Sequence, residues 1–156
     1  MENVMNVSVL NMVTEVELVY KSKVKPSERP QLKTSKDSYQ LLLKTWDPNK
    51  VEFVEQFKVI LMNRANRVLG IYELSTGGVS GTVADIKLVF MAALKSNACS
   101  LIISHNHPSG NLKPSRADED LTHKIKAAGT LLDIQVLDHV IVTTEGYFSF
   151  ADEGLL

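Results

Sequence analysis

With 156 residues, 44% of them apolar and 22% charged, the chain has the size and composition of one soluble globular domain and buries about two-thirds of its unfolded surface. A net charge of −1, with 17 Lys and Arg scattered among 18 Asp and Glu, leaves no electrostatic footprint of a direct nucleic-acid binder, whose affinity rests on neutralising phosphates. One cysteine, Cys99, excludes an intramolecular disulfide; no apolar run approaches the roughly 20 residues of a membrane span, and the opening M-E-N-V-M-N lacks a signal-peptide layout, so a cytoplasmic protein is expected.

Residues 7–20, ending V-T-E-V-E-L-V-Y, alternate in part and predict a strand. Residues 21–36 carry two prolines, several lysines and few apolar side chains, the composition of a loop. We therefore divide the chain into an extended arm and linker, 1–34, and a main domain, 35–156. Ser35 is placed to cap a helix with Tyr39, Leu42, Leu43 and Trp46 on one face, and Asp47-Pro48 ends it. Residues 57–62 (F-K-V-I-L-M) and 68–74 predict a hairpin around the turn 63–66. Gly77, Gly78 and Gly81 mark a loop, after which Thr82 or Asp85 opens a helix through Leu94.

Residues 100–104 are continuously apolar between two serines, as in a central strand buried on both faces, with Cys99 beside it as a small packed side chain. Ser115 starts a helix to about Ala128, with Gly129 near its end. Residues 134–142 and 147–150 flank Thr144-Glu145-Gly146 as a terminal hairpin. The order strand, helix, hairpin, helix, strand, helix, hairpin points to an α/β or α+β sandwich.

The chemistry concentrates in residues 104–118, S-H-N-H-P-S-G-N-L-K-P-S-R-A-D. His105 and His107 stand two apart, which on a strand puts both rings on one face, and Asp118 follows after ten residues in the first turn of the helix. Two imidazoles and a carboxylate are the protein ligands of a catalytic zinc site whose fourth position stays open. Asp138-His139, with Ser104 or Ser149, suggests a hydrolytic triad at first sight, but no nucleophile elbow accompanies it; His139 is expected in a structural role or in support of the metal site instead. His123, beyond Asp118 on the same helix, is expected to face solvent.

The run H-N-H-P-S-G-x-x-x-P-S-x-x-D resembles the signature of the RadC-like family, within the JAMM/MPN (JAB) metallopeptidase-like superfamily, whose pattern is Glu, then H-x-H, ten residues, then Asp. A-A-L-K-S-N-A, L-D-H-V-I-V and the C-terminal Y-F-S-F-A-D-E-G-L-L extend the likeness over about residues 35–156. The resemblance implies a cytidine-deaminase-like three-layer α/β/α sandwich with a mixed sheet, and a Zn²⁺ ion held by His105, His107 and Asp118. It further implies Ser115 as hydrogen-bond donor to the reacting carbonyl and an upstream Glu as general acid/base, a place that Glu55 fits better than Glu52 or Glu73.

The function so implied is a zinc-dependent hydrolase, metallopeptidase- or isopeptidase-like, acting on a peptide or other amide that the sequence does not identify. A non-catalytic interaction module and the DNA-repair or mobile-element accessory role of the family's traditional label are the alternatives. The arm offers an edge for pairing with a second copy, so a homodimer is a further expectation.

Overall fold

The computed structural model describes residues 12–78 and 83–156. In chain order these form α1 (Ser35–Thr45), β1 (Gln56–Met62), β2 (Val68–Thr76), α2 (Ile86–Lys95), β3 (Ser100–Asn106), α3 (Arg116–Leu131), β4 (Gln135–Val142) and β5 (Tyr147–Ser149), with a 3₁₀ turn at Pro26–Glu28. The strands make one mixed sheet in the order β2-β1-β3-β4-β5. Only β3 and β4 run parallel, joined through α3; every other neighbouring pair is antiparallel. β1 and β3 are buried at every position, which requires both edges paired and both faces covered.

Strand alternation sorts the core into two layers. Phe57, Val59 and Leu61 of β1 and Leu101 and Ile103 of β3 point to one face, where Val89, Phe90 and Ala93 of α2 and Ile125 of α3 cover them. Ile60, Met62 and Ile102 point to the other, against Leu42 of α1 and Trp46. The result is α1 on one side, the sheet between, and α2 and α3 on the other. This is the α+β, three-layer arrangement the resemblance implied.

Local corrections have local causes. Thr34, not Ser35, caps α1: its side chain accepts from the Asp37 N–H while the Asp37 carboxylate accepts from the Thr34 N–H. The Ser35 hydroxyl is engaged instead with Asp152. Asp85 caps α2 as expected, while Gly81 and Thr82 lie outside the described residues. The opening strand is not found: residues 7–11 lie outside the described residues, and residues 12–20 form no strand. Val16 and Leu18 are about four-fifths exposed there (82% and 79%), so alternation without a paired edge made no ladder. The Tyr20 hydroxyl donates to the Leu69 carbonyl at 2.8 Å. The expected linker contains the 3₁₀ turn and a bridge between Gln31 and Arg67.

α3 runs three residues beyond Ala128, and Gly129 lies near its end as expected, inside the last turn. Its role is close approach. The Ile134 N–H donates back to the Gly129 carbonyl at 2.9 Å, and a β-carbon at 129 would press on the Ile134 carbonyl oxygen and stand 3.1 Å from Val136 Cγ2. Alanine normally favours a helix over glycine by about 1 kcal/mol. Here Gly129→Ala is expected to destabilise by roughly 1–3 kcal/mol, because the turn into β4 has no room to yield. Urea denaturation measures it; a stabilised variant would show that the turn adjusts freely.

Candidate metal centre

Asn106, between the two histidines, shows how the strand end is held. Its buried side chain turns away from them, accepts the Gln56 N–H at 2.7 Å, and donates to the Val51 and Val54 carbonyls at 2.7 and 2.9 Å. Those bonds fasten the chain leading into β1 to the end of β3. His105, 1% exposed, lies with its ring parallel to Phe57, its cross-strand partner. His107 stands just past the strand, its N–H donating to the Val142 carbonyl at 3.1 Å. Gly110, at φ 80°, lets the loop fold back so that the Asn111 carbonyl meets His107 Nδ1. A carbonyl only accepts, so His107 carries its proton on Nδ1 and presents Nε2 as a lone pair.

Asp118 arrives from the start of α3. Ser115 is the N-cap, and the capping box is complete: Ser115 Oγ accepts from the Asp118 N–H at 3.1 Å, and Asp118 Oδ2 accepts from the Ser115 N–H at 2.7 Å. That box turns the carboxylate toward β3. His105 Nε2 lies 3.4 Å from Asp118 Oδ1, His107 Nε2 lies 3.8 Å from Oδ2, and the two Nε2 atoms are 3.0 Å apart. Burial raises the Asp118 pKa, but the His105 contact and the Ser115 N–H bond outweigh it, and the group ends well below the usual carboxylate range. It stands ready as an anion.

This donor set fits zinc. Bond lengths of about 2.0–2.2 Å put the edges of a tetrahedral site at about 3.4 Å; the His105 Nε2–Oδ1 separation matches it, while His107 is nearest the other carboxylate oxygen, Oδ2. His105, His107 and Asp118 are the group of described residues that can hold a metal ion, their ligating atoms all within 4.8 Å of one another.

Around them stand residues with distinct partners. His139, fully buried, places Nε2 2.8 Å from His105 Nδ1 and Nδ1 2.6 Å from the Thr122 hydroxyl. Burial first, then the charge of His105, pushes the His139 pKa well below the ordinary histidine value. Asp138 does not orient this ring. Its carboxylate accepts from the His139 and Ala151 N–H groups and the Ser149 hydroxyl, so no triad forms. His123 is exposed, as expected. Thr122 was not singled out from the sequence, although it follows Asp118 by one helical turn and so shares its face.

Of the three carboxylates considered upstream, two are engaged. Glu52 accepts from the Thr144 hydroxyl at 2.6 Å; Glu73 accepts from Gln56 Nε2 at 2.9 Å and faces Lys58 Nζ at 3.7 Å. Glu55 immediately precedes β1 and is held through its backbone, accepting the Gly77 N–H at 2.8 Å. Among the described residues its carboxylate has no hydrogen-bond or ion-pair partner.

Residues 32–155 match the family model of the RadC-like JAB domain. Curated relatives are named UPF0758 proteins. That of Flavobacterium johnsoniae is 50% identical over 101 residues, 65% of this chain and 44% of the relative. That of Porphyromonas gingivalis is 45% identical over 103 residues, 65% of this chain and 45% of the relative. That of Thermosynechococcus vestitus is 45% identical over 98 residues, 63% of this chain and 39% of the relative. The chain thus spans less than half the length of the curated relatives it matches. The matched region includes every strand and helix and all three residues of the His/His/Asp group, and the chain belongs to the RadC-like JAB domain family.

Proposed function

We propose that the chain is a zinc-dependent hydrolase of amide bonds, metallopeptidase- or isopeptidase-like. One observation carries the reading: two imidazole nitrogens and a carboxylate converge on one point, and the His107 proton is directed elsewhere, to Asn111. Such a meeting of acceptors is repulsive until a cation stands among them.

His105, His107 and Asp118 would hold the ion. Zinc in such a site lowers the pKa of water to about 7 and polarises a carbonyl oxygen. Glu55 is the proposed proton carrier. In support, Glu55 comes two residues before Phe57, whose cross-strand partner is His105. An uncommitted carboxylate there takes the proton of the attacking water on Oε and returns it to the leaving amine nitrogen. Ser115 Oγ already accepts from the Asp118 N–H, which leaves its own O–H to donate to the developing oxyanion.

The test is zinc titration of the metal-free protein against a chromophoric chelator, followed by assay on linear and isopeptide-linked peptides. Stoichiometric zinc and chelator-sensitive cleavage are expected; failure to bind zinc, or cleavage indifferent to chelation, overturns the reading.

The two capping boxes provide an internal comparison. Thr34→Ala and Ser115→Ala each remove an N-cap side chain and are expected to cost about 1 kcal/mol of stability. Only Ser115→Ala is expected to lower kcat as well, by about 10²–10³ for a lost oxyanion donor. Equal kcat in both variants would leave Ser115 as a cap and nothing more.

A further inference from the structure

A threonine hydroxyl has one proton, and Thr122 Oγ1 has two close neighbours. It lies 2.6 Å from the Asp118 carbonyl oxygen and 2.6 Å from His139 Nδ1. The carbonyl can only accept, so the hydroxyl proton goes there. His139 Nδ1 must then bring its own proton to the hydroxyl oxygen. A neutral imidazole carries one N–H, which leaves His139 Nε2 as an acceptor facing His105 Nδ1 at 2.8 Å. His105 therefore donates from Nδ1, and its Nε2 is left as a lone pair directed at His107 Nε2 and Asp118.

We propose that Thr122 and His139 are positioning residues which lock His105 in the Nδ1–H form and so keep its Nε2 free as a ligand. The chain of donors runs from His105 through His139 and Thr122 to the backbone of Asp118. It begins at one proposed ligand and ends at another, so the two ligands are set by one directional chain. His139 is held for this task with its ring stacked on Phe150, centroids 4.5 Å apart. His107 reaches the same form separately, through the Asn111 carbonyl. The two histidines thus present equivalent nitrogens by unrelated means.

The proposal concerns the site of the zinc reading and extends it, but its first test needs no metal. Long-range ¹H–¹⁵N spectra of the metal-free full chain at pH 8, well above the ordinary histidine pKa of about 6.5, report the tautomer of each ring. Both His105 and His139 are expected as Nδ1–H; the Nε2–H form at either position overturns the proposal. Thr122→Val keeps the branched shape and removes the hydroxyl. It is expected to turn His105 into a tautomer mixture and to weaken zinc binding 10–100-fold, the range for groups that orient metal ligands. Thr122→Ser is expected to restore both, whereas an unchanged His105 tautomer in Thr122→Val overturns the chain. If Thr122→Val fails to fold, the parent spectrum alone decides. A protein with the expected tautomers but no affinity for zinc would refute the zinc reading and leave the donor chain standing.

Discussion

His107→Ala is expected to abolish tight zinc binding while leaving the fold intact. His107 stands past the last residue of β3 and is only partly buried, so its loss opens no cavity in the core. Groups that merely orient a ligand are worth 10–100-fold in metal affinity, so removing a ligand itself must cost more than 100-fold. Competition with a chromophoric chelator measures the affinity, and a melting curve checks that the variant is folded. His105→Ala is the poorer probe. His105 is 1% exposed and packed against Phe57, and its removal mixes metal loss with a hole between β1 and α3. If His107→Ala retains zinc at parental affinity, the ligand set is wrong.

Glu55→Gln is expected to lower turnover by about 10²–10⁴ with zinc binding unchanged, the range for loss of a positioned general acid/base. Glutamine keeps the size and polarity of the side chain but cannot take up and return a proton. The same substitution at Glu52 and Glu73 makes the comparison informative, since those carboxylates are committed to Thr144 and to Gln56 and Lys58. Both are expected to leave turnover near the parental value. A collapse in Glu52→Gln or Glu73→Gln, with Glu55→Gln active, would move the proton carrier elsewhere. Single-turnover measurements separate the chemical step from product release.

Where local signals governed the outcome, the sequence was readable. The β1–β2 hairpin followed from two apolar runs about an Asn-rich turn, and α3 from Ser115 with Asp118 at the third helical position. Where two neighbouring residues offered the same chemistry, it was not. Thr34 and Ser35 are both good caps, and Thr34 wins because Asp37 completes its box while Ser35 is drawn to Asp152. The alternating arm read as a strand by composition, but alternation is a property of one segment and a strand needs a partner. Gly129 was legible as lying near the helix end, but that its lack of a side chain serves the close return of Ile134 was not.

By itself, the sequence determined the ligand triad as a candidate. An i, i+2 pair at a strand end and a carboxylate in the next helical turn are set by backbone periodicity within fourteen residues. It also singled out His139, and the family resemblance pointed to Glu55, but neither told what these side chains would meet. Only the tertiary structure decided that His139 reaches His105 across 34 residues, because that depends on the parallel pairing of β3 with β4. It likewise turned Asp138 away from the imidazole, committed Glu52 and Glu73 elsewhere, and brought Thr122 under His139. The physical reason is the direction of hydrogen bonds: which nitrogen of a histidine carries its proton is settled by the acceptors the fold brings to it.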